Sequence, residues 1–133
     1  MERLILDTTV LIAAERAASA VDEALGDEDD VAVAAVTAAE LLVGVELAEG
    51  RRRESRRAFV EAVLSVVPIE PYDLEVARAH SGLLAHARRS GRARGAHDLI
   101  IAATAMARAR TVVTADAAGF RDLPGVGVRL LGG

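Results

Sequence analysis

The sequence predicts an α/β fold, a three-layer α/β/α sandwich around a central parallel sheet. Three observations carry that prediction. Its short β-like runs are mostly continuously apolar rather than alternating, as in strands buried on both faces. Segments rich in Ala and Leu with helical spacing lie between those runs. The two kinds of segment alternate along the chain, the pattern of a parallel sheet covered by helices.

Taken in order, the first strand is expected at residues 4–6 (LIL), directly followed by Asp7 and a helix over residues 9–18. Residues 31–36 (VAVAAV) form the second strand, leading into a helix at 37–49 and another at 54–64. A third strand is expected at residues 66–69 (VVPI). The long helix at 73–89 places Val76, His80, Leu83, Leu84 and Ala87 along one face, with Asp73 as its N-cap. The helix at 96–109 is the most apolar and is expected to pack deep against the sheet. Strands at 111–114 (TVVT) and 126–131 (VGVRLL) complete the set. With no internal repeat and no dividing linker, residues 1–133 read as a single domain.

Composition removes several kinds of chemistry. All 16 basic residues are Arg, so the lysines required by P-loops, protein kinases and Schiff-base enzymes are missing. The same absence weighs against a receiver domain or a haloacid-dehalogenase-like phosphatase built on Asp7. Without Cys there can be no disulfide, thiolate zinc site or cysteine nucleophile. An aromatic content of 2% rules out a base-stacking platform as the main grip on a nucleic acid. The formal net charge of −4 argues against a non-specific DNA coat. An acidic run at 22–30 and basic runs at 51–57 and 88–94 read first as solvated helix ends and loops. No run approaches a membrane span and no signal-peptide pattern is present, so the expectation is a soluble, cytoplasmic protein without membrane contact.

Four acidic residues stand out by position. Asp7 and Asp116 each lie just past a strand, and Glu40 and Asp98 are expected in the first turn of a helix. Singly, each has a structural account. Asp7 could be an N-cap, Thr37 and Glu40 a capping box, Asp98 a partner of the helix dipole, and Asp116 a turn residue. Jointly they point into one crevice, because ligands of open α/β sheets bind at the carboxyl ends of the strands. Carboxylates gathered there repel one another unless a cation compensates. Hard oxygen donors suit Mg²⁺ or Mn²⁺, and such a site can activate water against a phosphodiester.

The segments LILDTTVLI, VTAAELLVG, HDLIIAATA and TVVTADAAGF resemble the successive motifs of PIN-domain nucleases, and most closely the VapC-type toxins of toxin–antitoxin pairs. The resemblance implies that Asp7, Glu40, Asp98 and Asp116 are metal-binding, catalytic carboxylates. Thr9 matches a hydroxyl residue supporting the first Asp, and Thr114 the one before the last Asp. It further implies Mg²⁺- or Mn²⁺-dependent endoribonuclease activity on RNA, a homodimer, and inhibition by a small cognate antitoxin. The alternative within the same fold is a PIN-like protein- or RNA-binding module that has lost catalysis.

Other residues carry weaker signals. His80, His86 and His97 lack the spacing of a zinc pair on one helical face, and His97 is adjacent to Asp98. Glu46 is a secondary candidate for orienting substrate. Arg92 and Arg94, in the glycine-containing loop before Asp98, are candidates for holding RNA phosphates. The small apolar residues of the helices at 9–18 and 37–49 form a surface able to accept a partner helix.

Overall fold

The computed structural model describes residues 1–17 and 29–131, so the last residue expected in the first helix and most of the acidic run at 22–30 lie outside the described residues. Five strands form one parallel sheet: β1 (Arg3–Leu6), β2 (Asp30–Ala34), β3 (Ile69–Glu70), β4 (Thr111–Thr114) and β5 (Val128–Leu130). Their spatial order is β3-β2-β1-β4-β5. The chain thus builds outward from β1 in one direction and then returns to its other side. The reversal puts a topological switch point between β1 and β4, where the connections leave in opposite directions.

Helices cover both faces. On one side, Leu4 and Leu6 of β1 and Val113 of β4 pack with α1 (Thr8–Ala17), α2 (Ala35–Leu47) and α3 (Gly50–Val66), through Val10, Leu11, Leu41, Val45, Val60 and Val63. On the other, Ile5 and Val112 meet α4 (Leu74–Ser90) and α5 (Ala96–Ala107), through Val76, Leu83, Leu99 and Ile101. Successive strand residues therefore go to opposite cores, which is why these runs are apolar throughout. Phe120 is 2% exposed and anchors the segment after β4 in the second core, a burial contributing about 1.5–3 kcal/mol. The expected three-layer sandwich is the observed one.

Element boundaries depart from the sequence expectation at the end of α3 and the start of α2. The third strand begins at Ile69, because Val66 is the last residue of α3 and Val67 its C-cap. Pro68 favours extended backbone just before it, and its carbonyl accepts from Val33 N–H at 3.0 Å, so pairing starts only there. In α2 the capping box is absent. β2 runs directly into the helix at Ala35, with Ala34 as N-cap and no side-chain cap. Thr37 thus falls inside the first turn, fully buried with its hydroxyl unpartnered among the described residues. Glu40 consequently sits in the second turn, not the first. Asp73 does cap α4, accepting from Val76 N–H at 3.0 Å, and Gly91 ends that helix in the left-handed region (φ 68°).

Candidate active site

Asp7 follows β1 at the switch point and is 4% exposed. Its Oδ2 accepts from the hydroxyls of Thr9 (2.8 Å) and Thr114 (2.7 Å), and its backbone N–H donates to Val113 O at 2.9 Å. Each hydroxyl is itself placed by backbone: Ala115 N–H donates to Thr9 Oγ1 and Asp116 N–H to Thr114 Oγ1, both at 3.0 Å. Those amides fix the hydroxyl oxygens; the Thr114 hydroxyl also lies 2.9 Å from Asp116 O, so Asp7 shares its proton with a second acceptor. The ends of β1 and β4 are thereby locked together around Asp7.

Glu40 projects from the second turn of α2. Thr8 Oγ1 donates to its Oε1 at 2.9 Å, and His97 Nδ1 lies 3.3 Å from Oε2. Asp98 is the third residue of α5, where the helix dipole favours a carboxylate. Burial, and then the charges of Asp7, Glu40 and Asp116, raise its pKa from the ordinary value of 3.8, while His97 opposes them. Those three charges act on Asp98 together, so all four predicted acidic residues share one neighbourhood. Asp116 is exposed and also shapes the turn after β4, its Oδ1 accepting from Ala118 N–H at 3.1 Å.

The other candidates stand apart. Arg92 is held by Asp122 at 2.9 Å, and Nε and Nη1 of Arg94 are buried without a partner among the described residues. Neither arginine is among the charges that perturb Asp98. Glu46 is exposed and lies 3.5 Å from Arg53, turned to α3. His80 is half-buried, with Nδ1 2.8 Å from the Tyr72 hydroxyl, a structural pairing. Sequence position does not single out Thr8, although it stands in the Thr-Thr pair after Asp7, and marks His97 only by its neighbour Asp98. Beside Glu40 a groove of about 180 Å³ is lined by Thr8, Leu11, Leu41, Phe59 and Val60, among others.

Among the described residues no three acidic or histidine side chains converge into a ready ligand shell. Mg²⁺ and its like need none, since they keep several waters and take one or two carboxylates together with substrate phosphates. The site fits such a cation on two counts: its donors are carboxylate oxygens, and burial together with the neighbouring negative charges disfavours the charged form of Asp98.

Residues 4–126 match the family model described as the PIN domain. A relative from Mycobacterium tuberculosis, Ribonuclease VapC5, is 42% identical over 113 residues, covering 84% of this chain and 82% of its own. Among solved structures, the VapBC-5 complex from Mycobacterium tuberculosis, of the VapBC family of toxin-antitoxin systems, superposes with a TM-score of 0.81. It is 36% identical and spans 98% of this chain and 100% of the other. DNA-bound VapBC from Salmonella typhimurium superposes with a TM-score of 0.85 at 26% identity, spanning 97% and 98% of the two chains.

Proposed function

The chain belongs to the PIN-domain family, and from that premise we propose that it is an endoribonuclease, the toxin of a toxin–antitoxin pair, working as one domain over residues 1–133. The observation that carries the chemistry is the gathering of Asp7, Glu40, Asp98 and Asp116 around one crevice, with three of them acting on the fourth. In this reading the four are the metal-binding and catalytic carboxylates, and the cation is Mg²⁺ or Mn²⁺. A divalent cation held there supplies Lewis-acid polarisation of a phosphoryl oxygen and neutralises charge developing in the displacement.

The chain's own residues do the positioning. Thr9 and Thr114 hold Asp7 through Oδ2, leaving Oδ1, which accepts no hydrogen bond among the described residues, for the cation. Thr8 and His97 fix the direction of Glu40. Asp98, its charge disfavoured by burial and its neighbours, gains most from a cation. The groove beside Glu40 lies among α1, α2 and α3, with an apolar floor of Leu11, Leu41, Phe59 and Val60 and the charged Glu15, Arg16 and Arg56 also lining it, which suits an amphipathic segment of a cognate antitoxin. An occupant there would lie against Thr8 and Glu40 and close one side of the site. Arg92 and Arg94 remain candidates for RNA phosphates flanking the scissile bond rather than for the reacting group.

Purified protein incubated with cellular RNA and Mg²⁺ or Mn²⁺ is expected to cut it. EDTA, Asp7→Asn and Asp98→Asn should each abolish the cuts. Absence of cleavage by folded, metal-loaded, partner-free protein would move the reading to a binding module.

A further inference from the structure

Gly119 closes the short 3-10 turn that begins after Asp116. A Cβ at this position would collide with Oδ2 of Asp98 and stand 2.9 Å from its Cγ. From another stretch of chain, a Cβ on Gly95 would come to 3.0 Å from the same Oδ2. The Asp98 carboxylate therefore rests between two pieces of backbone that carry no side chain. It also differs from its neighbours in how it is held. Asp7 and Glu40 accept from threonine hydroxyls, and Asp116 from a backbone amide. Among the described residues no hydrogen bond reaches the Asp98 side chain.

We infer that Gly119 is a positioning residue: its bare backbone is the seat of the Asp98 carboxylate, so the turn carrying Asp116 sets the placement of both. This rests on the reading of Asp98 as part of the site. Gly119 is not among the residues with positive φ, so its backbone is open to alanine and conformational freedom is not the reason for glycine here. An added methyl would meet the movable end of a side chain. Asp98 can rotate away at small cost to the fold, but the carboxylate then leaves its place opposite Asp7 and Glu40. Space at residue 119 is in this way exchanged for alignment at residue 98.

The test is Gly119→Ala in the full chain, alone and combined with Asp98→Ala. Gly119→Ala is expected to keep a Tm close to that of the parent. It should bind Mn²⁺ about 10–100-fold more weakly, the usual effect of losing a residue that orients a ligand, and cleave RNA more slowly by a similar factor. In the Asp98→Ala background, where cleavage is already lost, the same change should leave the residual Mn²⁺ affinity unaltered, since the carboxylate it displaces is gone. A crystal structure of Gly119→Ala should find Asp98 in a different rotamer. Unchanged Mn²⁺ affinity with Asp98 in its original place overturns the inference. Should Gly119→Ala lower Tm severely, recovery of Tm by adding Asp98→Ala supports the seat, and failure to recover refutes it. If the parent protein neither binds Mn²⁺ nor cuts RNA, the nuclease reading falls, while the rotamer of Asp98 still decides the seat.

Discussion

Thr114 donates to Asp7 Oδ2 at 2.7 Å, joining residues 107 positions apart at the carboxyl ends of the paired strands β1 and β4. Asp7 is nearly inaccessible to water, so this bond and the one from Thr9 replace hydration that the folded chain denies it. A hydrogen bond to a charged acceptor contributes about 1.5–3 kcal/mol. Thr114→Val, which keeps the shape and removes the hydroxyl, is expected to cost that much in urea denaturation and to slow RNA cleavage. Thr114→Ser should restore most of both. A Val variant as stable as the parent would mean that water enters to solvate Asp7.

Asp98 makes a pH-dependent prediction. Its pKa is raised in the folded protein, first by burial and then by Asp7, Glu40 and Asp116, so its charged form is the disfavoured one. A raised acid contributes most favourably below its unfolded value, near 3.8, and that contribution is lost as pH rises through the folded pKa. In metal-free protein Asp98→Asn should therefore raise Tm at neutral pH, with the gain shrinking as pH falls into the acidic range. Adding Mg²⁺ or Mn²⁺ should stabilise the parent and not the variant. Thermal melts across pH, with and without the ion, decide the matter; a gain in Tm that persists unchanged at low pH would contradict the assigned cause.

What sequence could reveal about this site follows from how each residue is held. Asp7, Asp98 and Asp116 are legible because strand ends and first helical turns are marked by local apolar runs. The start of α2 is not, since Thr37-Ala38-Ala39-Glu40 imitates a capping box while β2 continues into the helix without a loop. Likewise the apolar pair Val66-Val67 reads as a strand although it finishes α3. Thr8 and Glu40 are 32 positions apart, and Gly119 meets Asp98 from the turn after β4. Such contacts arise from the packing of separate elements and leave no periodic trace.

Glu40 provides a prediction of its own. Its two oxygens are taken by Thr8 at 2.9 Å and His97 at 3.3 Å, and Thr8 also lines the adjacent groove. Thr8→Val should free Glu40 to rotate, lowering kcat by about 10-fold, the scale seen when a residue orienting a ligand is lost. Thr8 is buried while Glu40 keeps part of its side chain in water, so the accompanying loss of stability should be about 1.5 kcal/mol, the lower end for a bond to a charged acceptor. Kinetics on a short RNA, set beside urea melts, separate the two effects. Equal losses in Thr8→Val and Thr8→Ser would show that the hydroxyl is not what matters.

The N-terminal ends of the strands test stability without touching the chemistry. Arg110, directly before β4, has a side chain only 6% exposed, with Nε 2.9 Å from Glu70 Oε2 and Nη1 3.0 Å from Asp30 Oδ1. The same Nη1 reaches the carbonyls of Asp30 (2.9 Å) and Leu4 (3.1 Å), so one guanidinium fastens β1, β2 and β3 to the start of β4. Removing one partner of a buried ion pair costs about 3–5 kcal/mol. Asp30 keeps 31% of its side chain in water, which places Arg110→Met near the lower end of that range. Arg110→Lys should recover little, because an ammonium cannot reproduce the planar fork that spans these acceptors. At a temperature where the variant remains folded, RNA cleavage should equal that of the parent, since the carboxylates lie at the other ends of the strands. A drop in cleavage without a drop in Tm would mean that strand registration reaches Asp7 from the far side of the sheet.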